Sequence, residues 1–294
     1  MKNHGSTLKM IFALVIFGTI APFARQIGLP TSMTAMIRGL SGAVILLLVL
    51  LMQGKKPEPR AIRENLWQLL ASGAAMGLNW MLLFEAYNYT TAAKAILCYY
   101  LAPTFVTVLA PFVLKEKPTL KGLLCASVSL GGMILLSGNT GSGERDGLGI
   151  LFGVLAAALY AAVILINKRT KPMPSYDRTI VQLAVAGTVL IPYVLVTQWG
   201  QTLTLSATGL GALAVVCLIH TALAYFLYFG GMEGISAAKT AVLAYLDPVI
   251  AVLISATLLH EPMTWKTAAG AVLVLGAALT GELLSLQREK ETKV

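Results

Sequence analysis

The chain has 294 residues, 57% of them hydrophobic and only 12% charged, and its mean hydropathy is +0.77. Soluble domains carry about 25% charged residues, so half the expected solvated surface is missing and the chain is an integral membrane protein with no room for a soluble catalytic or nucleotide-binding domain. The formal charge of +9 is what cytoplasmic loops of such a protein require, and no nucleic-acid partner is inferred from it.

Apolar runs near the length that spans about 30 Å of hydrocarbon fall at 8–24, 32–52, 66–87, 92–114, 120–138, 147–167, 179–197, 208–231, 237–259 and 266–285. They predict an all-α integral membrane fold of ten transmembrane helices with short linkers. The first run follows Lys2 and Lys9 but lacks a small-residue cleavage site, so it reads as a membrane helix. Linker charge then orients the bundle. The face holding the N-terminus collects Lys2, Lys9, Lys55, Lys56, Arg60, Arg63, Lys115, Lys117, Lys121, Lys168, Arg169, Lys171 and Arg178, with Arg288, Lys290 and Lys293 at the end. The other face receives little beyond Arg25, Lys94, Arg145 and Lys266. A multi-pass protein of the cell (inner) membrane with both termini cytoplasmic is expected.

Two stretches 145 residues apart repeat one another without a gap. Ala92-Ala93-Lys94, Tyr100-Leu101-Ala102-Pro103, Leu114-Lys115-Glu116, Thr119, Lys121 and Leu130-Gly131 match Ala237-Ala238-Lys239, Tyr245-Leu246-Asp247-Pro248, Leu259-His260-Glu261, Thr264, Lys266 and Leu275-Gly276. Five helices per copy, an odd number, turn the second copy upside down, the usual architecture of secondary transporters. The polar, Gly-rich stretch from Asn139 to Gly147 joins the halves. Residues 1–138 form the first repeat, 139–146 the linker, and 147–294 the second repeat with a short tail.

The pattern of apolar helix, Pro, second apolar run and terminal Glu resembles the EamA family of the drug/metabolite transporter superfamily. It is carried by Leu101-Ala102-Pro103 through Leu114-Lys115-Glu116-Lys117, and by Thr221-Ala222-Leu223-Ala224-Tyr225, Leu246-Asp247-Pro248 and Leu259-His260-Glu261-Pro262. Phe17-Gly18, Arg38 and Tyr160 also match. The resemblance implies two inverted five-helix repeats around a central cavity, alternating access, and cargo such as amino acids or other small metabolites, often moved outward. The chain departs from the family in having Phe17 where Trp is common and Asp247 where Glu is commoner.

Several residues inside the spans can carry chemistry. Asp247 lies mid-span directly before Pro248, which removes a backbone donor and frees a carbonyl one turn back. A carboxylate there costs about 2.5–3.5 kcal/mol on insertion scales, and acid plus free carbonyl suit a cation, a proton or a substrate amine. Ala102 holds the equivalent position in the first repeat. His220 lies well inside a span and ordinarily titrates near neutral pH, as proton coupling or gating requires, although a packed, hydrogen-bonded histidine looks the same in sequence. Arg38 must point inward or snorkel, to meet an acid, attract an anion or take part in gating. Asn79, Trp80, Tyr99, Tyr100, Tyr160, Tyr225 and Tyr245 lie away from the headgroup belts and are candidate substrate-binding residues, since ring faces attract cations and a buried amide needs partners.

Other motifs read as architecture. Lys94 and Lys239 read as headgroup anchors or as gate pairs with Glu85 and Glu233. Glu116 and Glu261 read as fold elements in water-facing turns. The Gly73/Gly77 and Gly149/Gly153 pairs read as helix-packing faces. Cys98, Cys125 and Cys217 show no metal-ligand spacing and behave as small hydrophobes.

The expected function is a secondary active transporter of a small-molecule substrate, foremost an amino acid exporter. An organic-cation or quaternary-amine carrier is the alternative, and a channel or lipid-acting enzyme is disfavoured. Protons are a candidate coupling ion and membrane lipid the surrounding partner. A monomer and a dimer are both open, and no metal, cofactor or catalytic residue is implied. No Gly-Lys-Ser/Thr phosphate loop occurs.

Overall fold

A computed structural model describes residues 2–115, 120–137, 145–200, 204–232 and 243–291, and every regular element among them is helical. That is the solution available to an apolar chain in lipid, where each backbone N–H must find its acceptor within the segment. α1 (Lys2–Gly18) and α2 (Ile20–Gln26) make one apolar run, followed by α3 (Thr31–Met52), a short surface helix α4 (Pro59–Glu64) and α5 (Leu66–Tyr89). Next come α6 (Ala92–Tyr99), α7 (Ala102–Val113), α8 (Leu120–Ser137), α9 (Asp146–Asn167) and α10 (Ser175–Gln198). α11 (Ala207–Cys217) runs through a π-helical turn, Leu218–Leu223, into α12 (Ala224–Met232), and α13 (Leu246–Thr257) and α14 (Trp265–Glu291) close the chain. Among the described residues, seven helical runs are long and apolar enough to cross a membrane, and Leu120–Gly132, Leu246–Thr257 and Trp265–Gly281 are shorter apolar helices.

Two features recur at the 145-residue spacing. α6 gives way to α7 across Tyr100 and Leu101, and a turn at Tyr245 precedes α13. Pro103 and Pro248 explain both breaks: a proline nitrogen cannot reach back four residues, so the carbonyls of Tyr99 and Ala244 lose their helical donor. Further on, Lys115 and His260 both adopt left-handed backbone, with φ of 58° and 50°, which only a few per cent of non-glycine residues do. Each sits just past the end of its apolar helix.

α5 packs against α9 and α10, α3 against α10, α8 against α14, and α1 against α12 and α13. One apolar core gathers Leu46, Leu83, Phe84, Leu183 and Val216, and a smaller one gathers Leu97, Leu101, Ala251 and Val274 around the broken helices. The paired glycines are packing faces. A methyl on Gly73 would meet Val185 of α10 at 2.7 Å, and one on Gly153 would meet the Cys98 Cβ of α6 at 2.8 Å.

Of the sequence-level features, Glu116 through Thr119, connector residues 138–144, and residues 233–242, including Glu233 and Lys239, lie outside the described residues.

Candidate functional site

Asp247 sits in the first turn of α13, where the unpaired N–H groups of a helix start favour negative charge. The Tyr100 hydroxyl donates to Asp247 Oδ2 at 3.1 Å, and the Ala244 carbonyl oxygen is a second acceptor 3.3 Å away. Ala244 O is the carbonyl that Pro248 leaves without a helical donor. Tyr100 belongs to the break in the first repeat and Asp247 to the break in the second. One hydroxyl thus ties the two interrupted helices together across the interior. α1 comes close here: a methyl on Gly18 would lie 2.7 Å from the Asp247 carbonyl oxygen, so only glycine lets α1 pass.

Tyrosines surround the acid. Tyr99 stacks on Tyr160 at 5.1 Å between centroids, Tyr99 meets Tyr100 edge-on at 6.2 Å, and Tyr100 lies 6.1 Å from Tyr245. Asp247 and Tyr245 are only half-buried, and Tyr160 keeps 38% of its surface although its ring stacks on an interior partner. These groups form one aromatic cluster around the acid where the two interrupted helices meet. Tyr225 lies in an adjoining aromatic group, 5.4 Å from Phe17 and 6.0 Å from Phe229.

The remaining predicted residues make no hydrogen bond to Asp247. Arg38 is buried, its guanidinium 4.1 Å from the Trp80 ring centroid, and its Nε donates to Thr221 at 3.0 Å. Asn79 is fully buried and donates from Nδ2 to the Ala156 carbonyl at 2.5 Å, while its Oδ1 has no partner. His220, in the π-turn, has Thr19 Oγ1 3.1 Å from Nε2 and the Val215 carbonyl 3.4 Å from Nδ1, with Phe23 against its ring. Both ring nitrogens are thus occupied, and it does not touch the tyrosine group.

The two ends of the bundle are built differently. At the end holding Thr31, Arg25 donates to Glu261 at 2.6 Å and to the carbonyls of Tyr87 and Thr90. Glu261 also accepts from the Ala92 backbone N–H at 2.9 Å and from Ser255, so it caps the start of α6 from the other half of the chain. Beside it Lys94 and Asp146 form an ion pair of 2.7 Å with side chains 3% and 2% exposed, and Thr90 donates to the same carboxylate at 2.5 Å. A cavity of only about 80 Å³ remains there. At the end holding Leu50, a cleft of about 620 Å³ opens between Lys55, Glu58, Tyr176, Asp177 and Phe229. Phe229 contacts Tyr176 at 4.9 Å and stacks on Tyr225, so aromatic rings lead from the cleft toward the interior.

Two sequence expectations are corrected here. Lys94 pairs with Asp146 rather than Glu85, which instead accepts from Thr31 at 2.6 Å. Lys94 and Glu85 flank a helix end and diverge, whereas Gly149 lets α9 press against Thr90 and brings Asp146 under Lys94. Glu261 is not in a water-facing turn: its side chain is 11% exposed. Arg25, Thr90, Asp146 and Thr221 were missed, the acid because it ends a Gly-rich connector that reads as solvent-exposed.

The EamA-like transporter family matches the chain twice, over residues 6–138 and 147–280. The uncharacterized transporter YxxF of Bacillus subtilis is 28% identical over 95% of this chain and 90% of its own length. An uncharacterized transporter of Archaeoglobus fulgidus is 26% identical, covering 92% and 93%, and Protein PecM of Dickeya dadantii 27%, covering 89% and 86%. One solved crystal structure superposes with a TM-score of 0.63 at 18% identity, over 95% of this chain and 98% of that one, a likeness of fold.

Proposed function

The chain belongs to the EamA-like transporter family, and from that premise we propose that it is a secondary active transporter that exports a small zwitterionic metabolite, foremost an amino acid, across the inner membrane. Ten spans in two inverted five-helix repeats of residues 1–138 and 147–294, both termini cytoplasmic, carry the site and expose it to each face in turn. The observation that carries this reading is Asp247, a carboxylate beside a cluster of tyrosines inside a bundle of apolar helices, joined by Tyr100 to the opposite repeat. A carboxylate at that depth is costly and is kept where it binds or relays charge. The substrate ammonium binds Asp247 against the tyrosine faces, and a proton competes for the same oxygens, which couples export to the proton gradient.

With the charge-rich face inside, the wide cleft opens to the cytoplasm and the ion-paired end closes the outside, the state in which an exporter loads. Matching Arg145→Cys and Lys55→Cys variants should label from opposite faces; labelling from one face would remove the inverted arrangement.

In proteoliposomes the wild-type chain should exchange an amino acid, and Asp247→Asn should lower that rate by about a hundredfold, the loss of a charged contact in a dry site. An unchanged rate with unchanged pH dependence would end the assignment. The tyrosine ring faces favour one second reading, a carrier of quaternary amines. Competition by choline but not by neutral amino acids would select it.

A further inference from the structure

We propose that Arg38 is the anion-binding pole of the transport site, holding the carboxylate of the cargo on the Nη edge of its guanidinium. The residue is 6% exposed, a setting in which an arginine is normally matched by an acid. Among the described residues no carboxylate lies within ion-pair distance of it, and its Nη groups have no protein hydrogen-bond partner; the Nε bond to Thr221 is its one hydrogen bond. The guanidinium is nonetheless fixed. Its Nε edge is held by the Thr221 hydroxyl, which itself donates to the Val216 carbonyl at 2.9 Å, five residues back, as the wide π-turn allows. One face is covered by Trp80, with Phe84 5.8 Å away.

Thr221 reaches this position because α3 has glycine where it crosses the π-turn. A methyl on Gly42 would sit 2.6 Å from Thr221 Cγ2. A planar fork with one edge tied, one face stacked and the other edge free is the arrangement that binds a carboxylate with two parallel N–H bonds. Asn79, next to Trp80 on α5, adds a fully buried amide oxygen without a partner. Tyr225 follows Thr221 by one turn and stacks on Phe229 of the wide cleft, so the Arg38 site adjoins the row of rings that leads from it. Cation and anion then bracket one interior, as the two ends of a zwitterion require. This second pole rests on the reading of Asp247 as the ammonium site; the Arg38 subsite itself does not.

The native fluorophores supply the test. Trp67, Trp199 and Trp265 are 80%, 81% and 71% exposed, whereas Trp80 is buried against Arg38. In the full-length purified chain carrying Trp67→Phe, Trp199→Phe and Trp265→Phe, emission therefore reports on Arg38. L-leucine, L-threonine and L-lysine would each be titrated beside the amine left by decarboxylation and the acid left by deamination. Carboxylate-bearing probes should shift Trp80 emission and bind at least about tenfold tighter than the matched amines, the worth of a charge-assisted pair. Arg38→Gln should erase that preference and Arg38→Lys should keep part of it. Should Arg38→Gln not fold, Thr221→Val, which removes the Nε acceptor together with the bond to the Val216 carbonyl but keeps the side-chain shape, should weaken carboxylate binding several-fold.

Deaminated acids that bind through Arg38 and are indifferent to Asp247→Asn would uphold the subsite while overturning the amino acid reading. Two results overturn the subsite: no carboxylate perturbs Trp80 in the wild-type background, or a folded Arg38→Gln chain retains the acid-over-amine preference.

Discussion

The two ends of this bundle draw on the same side-chain types and use them in opposite ways. At the Arg25 end the two ion pairs, Arg25 with Glu261 and Lys94 with Asp146, are largely or wholly buried, and each joins residues far apart in sequence. At the Leu50 end the ion pairs are solvated: Arg60 with Glu64 one turn on, side chains 94% and 40% exposed, and Lys171, from the turn between α9 and α10, with the same Glu64 at 3.5 Å. Charge at the first end fastens α2, α6, α9 and the turn after α13 to one another. Charge at the second end lies beside a cleft and fastens little. Burial, more than the number of ion pairs, decides which of them hold the molecule together.

The sharpest way to break that contrast is Asp146→Asn. It leaves the Lys94 ammonium buried without its counter-charge, which costs about 3–5 kcal/mol. Thermal unfolding of the purified chain should fall accordingly. Native Cys98, fully buried one turn beyond Lys94 and packed on Gly153, supplies a local readout. Maleimide labelling of Cys98 should accelerate strongly in Asp146→Asn as α6 and α9 loosen. A variant as stable and as unreactive as the parent would mean that this pair carries no structural weight.

Glu261→Gln should follow. The amide keeps one acceptor for the Ala92 N–H but loses the charge opposite Arg25, and hydrogen bonds to charged groups are worth about 1.5–3 kcal/mol. Arg25 retains the carbonyls of Tyr87 and Thr90, so the loss should fall below that of Asp146→Asn. A double Arg25→Gln, Glu261→Gln chain should lose less than the sum of the single changes, since both remove one interaction. Additive losses would separate the two residues.

How much of this was readable beforehand divides along the same line. The helical spans were legible because bilayer thickness imposes a length; the two interruptions were less so, because the apolar runs at 92–114 and 237–259 continue through Pro103 and Pro248. Tyr99, Tyr100 and Tyr245 could be named as interior residues because they lie away from the headgroup belts, but the contact of Tyr100 with Asp247 could not, since it crosses from one repeat to the other. The partners of Lys94 and Glu261 were not legible: their mates lie 52 and 236 residues away, and only helix packing brings them near. His220 is a residue for which the sequence allows two readings. Its intramembrane position reads as functional, yet the π-turn supplies a carbonyl to one nitrogen and Thr19 meets the other.

A smaller change probes the interior between the ends. Tyr100→Phe keeps the ring that packs on Tyr99 and Tyr245 and deletes the hydroxyl that serves Asp247 and the Ala244 carbonyl. Losing such a hydrogen bond costs about 0.5–1.5 kcal/mol, so transport should fall by no more than about tenfold. A loss as deep as that of Asp247→Asn would make Tyr100, rather than the acid, the essential group. A rate equal to wild type would detach the two interrupted helices from one another.

Smallest of all should be Glu64→Gln. Its two basic partners, Arg60 and Lys171, are largely exposed, and an i,i+4 pair on a solvated helix is worth about 0.3–0.5 kcal/mol. Unfolding in detergent should shift barely beyond error, and raising salt should shrink even that, because water and ions already screen the pair. Set beside Asp146→Asn, the same acid-to-amide change differs mainly in desolvation. A Glu64→Gln loss comparable to that of Asp146→Asn would show that the cleft end is clamped as firmly as the other. The asymmetry on which loading from that side depends would then be gone.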